Sequence, residues 1–150
     1  MKEITGEQIE FMIRTLQNYY FLKDERQRFR NEARTLEIKI DMEREAAGIS
    51  YDSTSSIYNN TDTPYICSLI HEQASYELEA IHYEWAAKDL DKYNKIEKRL
   101  EALSVDQRLT INALCDHRMS YQQYAKEENV SRQAIKDRLN NAIRKMLEVE

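Results

Sequence analysis

Apolar residues recur every three or four positions over most of the chain, which places them on one face of an α-helix. Near the start, Thr5 and Gln8 have the spacing of a capping box, in which each side chain accepts a hydrogen bond from the other residue's backbone amide. The pattern predicts one long helix over residues 6–47, or two end to end, that closes at Gly48. Its apolar positions are Ile9, Met12, Ile13, Leu16 and Tyr20 and, after a change of phase, Leu22, Phe29, Ala33, Leu36 and Ile40.

A polar segment interrupts the pattern between residues 48 and 64. Eleven of the fourteen residues from Ser50 to Thr63 are Ser, Thr, Asn or Asp, whose side chains compete for backbone hydrogen bonds, so we interpret the segment as a linker. Pro64 then begins a second long helix, expected to reach about Leu103. Because neither long helix can bury a compact core alone, we expect them to pair as a coiled-coil hairpin or between chains. The expected apolar positions of the second helix are Ile66, Ile70, Leu78, Ile81, Trp85, Leu90, Tyr93, Ile96, Leu100 and Leu103.

Three shorter helices are predicted over the last fifty residues. Ser104 and Gln107 repeat the capping-box spacing at the start of a helix over residues 105–115. Ser120 begins a second helix that lasts to about Glu128, and Ser131 caps a third over residues 132–147. The first of these helices is expected to bury Val105, Leu109, Ala113 and Leu114.

The last two helices are joined by a turn of three residues. Asn129 occupies the turn, and Asn tolerates the left-handed conformation that a sharp turn needs. Ala125 is small where the two helices would cross, and Ile135 follows four residues after the Ser131 cap. Two short helices joined in this way are typical of a helix-turn-helix, although an ordinary three-helix bundle has the same pattern.

Composition favours an all-α fold. With only 2 Gly and 1 Pro, the chain lacks the turn residues that many short strands require. We therefore predict an all-α protein with a long, coiled-coil-like helical dimerisation region over residues 1–103 and a helix-turn-helix domain over residues 104–150.

The charge is unevenly distributed. The formal net charge is -5, but the acidic excess lies in residues 1–100, which hold 14 Lys and Arg against 19 Asp and Glu. Residues 131–145 carry five Lys and Arg against a single Asp. The last helix is therefore locally basic in an acidic protein.

Several other classes of protein are disfavoured. No apolar run is long enough to cross a membrane, and the first residues lack the apolar core of a signal peptide, so we expect a cytoplasmic protein with Cys67 and Cys115 reduced. We expect no metal and no other cofactor, because Cys67, His71, Cys115 and His117 lack the spacing of a structural zinc site. The absence of a Gly-rich phosphate loop and of a His-Glu-x-x-His motif argues against an enzyme.

Aromatic residues in the long helices have two interpretations. They could form a surface on which bases stack, but aromatic residues at helical spacing more often pack against a neighbouring helix. We expect packing for Tyr19, Tyr20, Phe29, Tyr76, Tyr83 and Trp85.

The last third of the chain resembles region 4 of bacterial sigma factors. The resemblance is carried by residues 103–108, 120–125, 130–135 and 142–146, which read LSVDQR, SYQQYA, VSRQAI and AIRKM. Residues 1–100 do not resemble sigma region 2, so a complete sigma factor is not expected. The whole layout, including the segment GISYDS at residues 48–53, instead resembles the ArpU/RinA-like regulators of phages. That resemblance implies a DNA-binding activator of late or packaging genes, with double-stranded DNA and RNA polymerase as partners.

The candidate DNA-binding residues lie on and just before the last helix. If that helix enters the major groove, its outward side chains meet base edges and phosphates, and Arg, Gln and Asp can pair with guanine, adenine and cytosine. Two residues near the preceding helix are candidates for phosphate contacts, Arg118 and Gln122. The set on the last helix is Ser131, Arg132, Gln133, Lys136, Asp137 and Asn140.

A single basic helix makes few phosphate contacts, so we expect a homodimer that joins two DNA-binding motifs. Two alternatives remain at this stage. One is the small terminase subunit of a phage, which binds packaging-site DNA and forms rings of eight or more chains. The other is a helical protein-interaction adaptor.

Overall fold

The computed structural model describes residues 3–48 and 62–150, and the regular structure in these ranges is entirely helical. The prediction of an all-α chain with a long N-terminal helix is confirmed. Most of the expected polar linker, residues 49–61, lies outside the described residues. The helices are α1 (Gly6–Ala46), α2 (Pro64–Asn94), α3 (Ile96–Glu101), α4 (Val105–Ile111), α5 (Tyr121–Glu128) and α6 (Arg132–Leu147), and a π-helical turn (Asn112–Asp116) follows α4 directly.

Both ends of α1 form as the sequence predicts. The amide of Thr5 donates to Gln8 Oε1 at 2.9 Å, and the amide of Gln8 donates to Thr5 Oγ1 at 3.2 Å, which completes the capping box. At the other end, Gly48 has a φ of 73°, a conformation that glycine adopts without steric cost. α1 is one continuous helix, so the change of phase in its apolar pattern is not a break.

The chain divides into two compact units. The hairpin unit is Leu22–Ala86, and the terminal unit combines Met1–Phe21 with Ala87–Glu150. The sequence predicts a boundary at residues 103 and 104, whereas the terminal unit includes residues on both sides of that point. The reason is that Met12, Leu16 and Ile96 are fully buried in its interior.

The hairpin unit pairs the second part of α1 with the first part of α2 in antiparallel orientation. Leu36 and Ile40 pack against Ile66, Leu69 and Ile70. The two long apolar stripes therefore pair within one chain here.

Polar and aromatic contacts extend the same pairing in both directions. Phe29 stacks on Tyr83 with 5.6 Å between ring centroids, and Arg30 contacts Glu84 at 3.3 Å. At the other end, Arg44 forms a buried ion pair with Asp62 at 2.7 Å.

The predicted apolar face of α2 is wrong in its middle part. Leu78 is 54% exposed and Trp85 is 61% exposed, so Trp85 does not pack as expected, and Ile81 is also exposed. The buried positions include Gln73 and Ala80 instead. A small side chain such as Ala80 and a polar one such as Gln73 are both overlooked when only large apolar residues are expected to be buried.

The second long helix does not reach Leu103 without interruption. Lys95 adopts a left-handed conformation, with a φ of 52°, and separates α2 from α3. Asp91 Oδ1 accepts a hydrogen bond from the amide of Glu97 at 2.8 Å, which satisfies one amide at the start of α3. Tyr93, expected on the apolar stripe, is 80% exposed just before this break.

The terminal unit is built around α6, which packs against α3, α4 and α5. The expected apolar face of α4 is wrong, because Val105 and Leu109 are exposed and Thr110 and Ile111 are buried. The π-helical turn that follows is wider than an α-helix, and its residues Ala113, Leu114 and Cys115 are buried, as the sequence predicts for the first two. A single helical face over residues 105–115 therefore does not exist.

Candidate nucleic-acid interface

One face of α6 is buried and the opposite face is open to solvent. The helix begins at a Ser131 cap, whose Oγ accepts a hydrogen bond from the amide of Ala134 at 3.1 Å. The residues of α6 that are buried in the core are Ile135, Leu139, Ala142, Ile143 and Met146. Every candidate residue on α6 consequently points away from the core: Ser131, Arg132, Gln133, Lys136 and Asp137 are exposed, and Asn140 is half-buried.

Two of these side chains are already joined. Gln133 Nε2 donates a hydrogen bond to Asp137 Oδ1 at 3.0 Å, one helical turn away. The bond holds an amide and a carboxylate side by side on the exposed face. Amide and carboxylate groups read base edges by accepting and donating hydrogen bonds, so this pair presents a fixed polar pattern.

The turn between α5 and α6 has the geometry that the sequence predicts. Asn129 has a φ of 59° and a ψ of 40°, the left-handed conformation. The amide of Val130 donates to the carbonyl of Ala125 at 3.1 Å, and the amide of Asn129 donates to that of Lys126 at 3.3 Å. These bonds end α5 within one residue and allow α6 to pack against it.

The two candidate residues ahead of α6 differ in their setting. Gln122 is exposed on α5, whose first turn is capped by Ser120 through a bond from the amide of Gln123 at 3.1 Å. Arg118 is exposed in the segment before that cap and has a φ of 51°. The structure brings Arg118 to the same cleft as Arg132.

This cleft has a volume of about 300 Å³ and lies within the terminal unit. Its polar rim includes Gln17 of α1 and Tyr121 of α5 besides the two arginines. Its floor is apolar: Ile13, Leu114, Cys115, Met119 and Leu139. Burial raises the pKa of the Cys115 thiol to about 12, so this part of the floor is uncharged at neutral pH.

Sequence reasoning did not find Gln17 or Tyr121. Gln17 lies about a hundred positions before Arg118 in the chain, and no local pattern links the two residues. Its position depends on the packing of α1 in the terminal unit, where Met12, Leu16 and Tyr19 are buried. Tyr19 also donates a hydrogen bond to the carboxylate of Glu97, which joins α1 to α3.

One basic side chain of α6 forms an ion pair with a neighbouring helix, whereas others do not. Arg138 contacts Glu128 at 3.7 Å, so a carboxylate of α5 compensates this guanidinium. The described residues place no carboxylate within 4 Å of Arg132 or Lys136. Arg132 and Lys136 are therefore uncompensated cations in the first half of α6, and Arg132 shares a cleft with Arg118.

Both cysteines are free thiols, with Cys67 half-buried and Cys115 buried. In residues 3–48 and 62–150, no three His, Cys, Asp or Glu side chains come together in a way that could hold a metal ion. None of the described helices combines the length and the apolar character needed to cross a membrane.

Comparison of the chain with protein-family models, with curated protein sequences and with solved structures gave no match.

Proposed function

We propose that the chain is a sequence-specific regulator of transcription that binds double-stranded DNA through α5 and α6. In this proposal the two helices act as a helix-turn-helix, and α6 enters the major groove. The observation that carries it is the row of exposed polar side chains on the first half of α6, opposite a face that is completely buried. A helix held rigidly by its core can present such a row to base edges.

Each side chain of the row has a chemical role in the groove. Lys136 can donate to guanine, the amides of Gln133 and Asn140 can pair with adenine, and Asp137 can accept from cytosine. Ser131, at the start of the helix, is placed for a phosphate, since helix N-termini favour anions. Gln122 and Arg118, ahead of α6, are proposed to contact the backbone of the DNA.

The biological setting is proposed from the resemblance to sigma region 4 and to the ArpU/RinA-like regulators. It implies activation of late or packaging genes of a phage or prophage, inside the bacterial host. Activation requires a contact with RNA polymerase in addition to DNA. The exposed Val105 and Leu109 of α4 belong to the same unit as α6 and are not used by its core.

The first test is selection of bound sequences from random duplex DNA by the full chain near physiological salt. We expect one enriched motif, and we expect the Gln133→Ala and Lys136→Ala variants to lose preference at one or two positions of it. Each lost base contact corresponds to about 1–3 kcal/mol of discrimination. The exposed Lys92 of α2 provides the matched control, because Lys92→Ala removes the same charge outside the proposed interface.

A selection that enriches no motif, with binding that is equal for all sequences, would contradict a sequence-specific regulator. Complete absence of DNA binding would favour the protein-interaction adaptor instead.

We also propose that the regulator is a homodimer. A basic patch of one α6 makes few phosphate contacts, and the acidic excess of residues 1–100 opposes DNA binding, so two joined motifs are needed for affinity. Sedimentation equilibrium at tens of micromolar is expected to give the mass of two 17.9 kDa chains. A monomer would contradict the dimer, and a ring of eight or more chains would favour the packaging protein.

A further inference from the structure

Two arginines line the cleft between α1, the segment before α5 and the start of α6, and no carboxylate is among the residues that line it. Arg118 and Arg132 both line it, and among the described residues neither guanidinium has a carboxylate within 4 Å. Two cations on one cleft repel each other, and an anion between them removes that repulsion. The protein as a whole is acidic, so its net charge does not explain this local arrangement.

The backbone at Arg118 is held in one conformation by the end of the π-helical turn. Its φ of 51° is uncommon for a residue with a side chain, and glycine would adopt it at lower cost. The π-helical turn just before it is held by a bond from the amide of His117 to the carbonyl of Asn112 at 2.9 Å. A second bond, from the amide of Met119 to the carbonyl of Ala113 at 3.0 Å, closes this left-handed helix end. The two bonds fix the backbone from which the Arg118 side chain reaches the cleft.

The lining of the cleft suits an anion. Ile13, Leu114 and Leu139 form an apolar floor, which offers no acceptor that competes with an anion for the two guanidinium groups. Gln17 adds an uncharged amide donor at the rim, from a helix that is distant in sequence. The combination of two arginines and an amide suits an oxyanion with several acceptor oxygens.

We propose that one phosphate of the DNA backbone occupies this cleft, held jointly by Arg118 and Arg132, with Gln17 as a third donor. The inference rests on the proposed DNA binding and deepens it, because it assigns Arg132 to the backbone and not to a base edge. Base recognition then falls to Gln133, Lys136, Asp137 and Asn140. It also makes α1 part of the DNA-binding surface.

Salt dependence of DNA binding tests whether the two arginines share one phosphate. Each neutralised phosphate contributes about 0.9 to the slope of log K against log salt concentration. Arg118→Ala and Arg132→Ala are each expected to weaken binding about tenfold. The double variant should lower the slope by about 0.9 in total, since only one phosphate contact is lost.

The selected motif provides the second readout. Arg132→Ala is expected to leave the motif unchanged while weakening binding to every sequence by the same factor. Gln17→Ala should weaken binding without changing the salt slope, because an amide carries no charge. The matched control is Arg34→Ala, which removes an exposed arginine of α1 in the hairpin unit and should change neither readout.

The Arg118→Gly variant distinguishes a loss of folding from a loss of the contact between Arg118 and the phosphate. Glycine relieves the strained backbone, so this variant should melt at the same or a higher temperature and still bind DNA about tenfold more weakly. If the double variant lowered the slope of log K against log salt concentration by about 1.8, the two arginines would contact two separate phosphates. Relaxed preference at one motif position in Arg132→Ala would show a base contact. Unchanged affinity in both arginine variants would show that the cleft does not face DNA; each of these three results overturns the proposal.

Phosphate binding can be measured without DNA, so the anion site can be tested separately from the proposed function. Titration with inorganic phosphate, followed by the Nε–H resonances of the arginines, is expected to shift Arg118 and Arg132 together and to leave Arg34 in place. If DNA does not bind but phosphate shifts both resonances, the proposed function fails and the anion site stands. If DNA binds and phosphate shifts neither, the shared site fails.

Discussion

Replacing Arg44 with alanine is expected to lower the free energy of unfolding by about 3 kcal/mol. The Arg44 guanidinium donates two hydrogen bonds to the Asp62 carboxylate, at 2.8 Å from Nε and 2.7 Å from the terminal nitrogen. The side chains are 3% and 0% exposed. Alanine would remove the cation that compensates a fully buried carboxylate, and the cost of burying that charge would then oppose folding. Urea denaturation followed by far-ultraviolet circular dichroism measures the change.

A double replacement separates the ion pair from the packing around it. Arg44→Met combined with Asp62→Leu buries no charge, so it should recover most of the stability that the single variant loses. Arg34→Ala, at an exposed position of the same helix, should stay within about 0.5 kcal/mol of the parent chain. If Arg44→Ala were as stable as Arg34→Ala, the pair would be solvated and would not hold the ends of the hairpin unit together.

Several of the helix termini could be predicted, because the bonds that determine them join neighbouring residues. The Ser104 hydroxyl accepts from the amide of Gln107 at 3.2 Å, and Gln107 Oε1 accepts from the amide of Ser104 at 3.0 Å. Asn129 ends α5 in the left-handed conformation. In each case the donor and the acceptor are within five residues of each other, so their spacing in the sequence is sufficient evidence.

The buried faces could not be predicted to the same extent, because they depend on the partner. The pattern of large apolar residues on α2 indicated Leu78 and Trp85, whereas the face toward α1 uses Gln73 and Ala80. The break at the left-handed Lys95 could not be predicted either, since neither Gly nor Pro marks it in the sequence. Hydrophobic size along one helix does not say where the neighbouring helix lies.

The candidate site includes one part that the local sequence determines and one part that depends on distant packing. The exposed row on α6 follows from the apolar period of that helix alone, and the sequence was sufficient to identify it. The cleft is different, because Gln17 meets Arg118 and Arg132 only after α1 has packed into the terminal unit. Residues that converge from distant parts of a chain leave no local pattern in the sequence.

Leu139→Ala is expected to lower the free energy of unfolding by about 2–5 kcal/mol. Leu139 is 1% exposed on α6, and the shorter side chain would leave a cavity in the core that orients the exposed row. It also lies in the floor of the cleft beside Arg132. The loss of stability should therefore be accompanied by weaker DNA binding at temperatures where the variant is still folded. Thermal or urea denaturation gives the first quantity, and titration with the selected duplex gives the second.

Leu109→Ala is the matched control, because it is the same substitution at a position that is 54% exposed on α4. It should change the free energy of unfolding by no more than about 0.5 kcal/mol. The apolar pattern of the sequence places Leu109 on a buried face, so a loss as large as that of Leu139→Ala would contradict the packing described for α4. A small loss together with normal DNA binding would be consistent with an exposed leucine that is free for a protein contact, such as the proposed contact with RNA polymerase. The pair of variants thus tests the core of the terminal unit and the surface of α4 in one experiment.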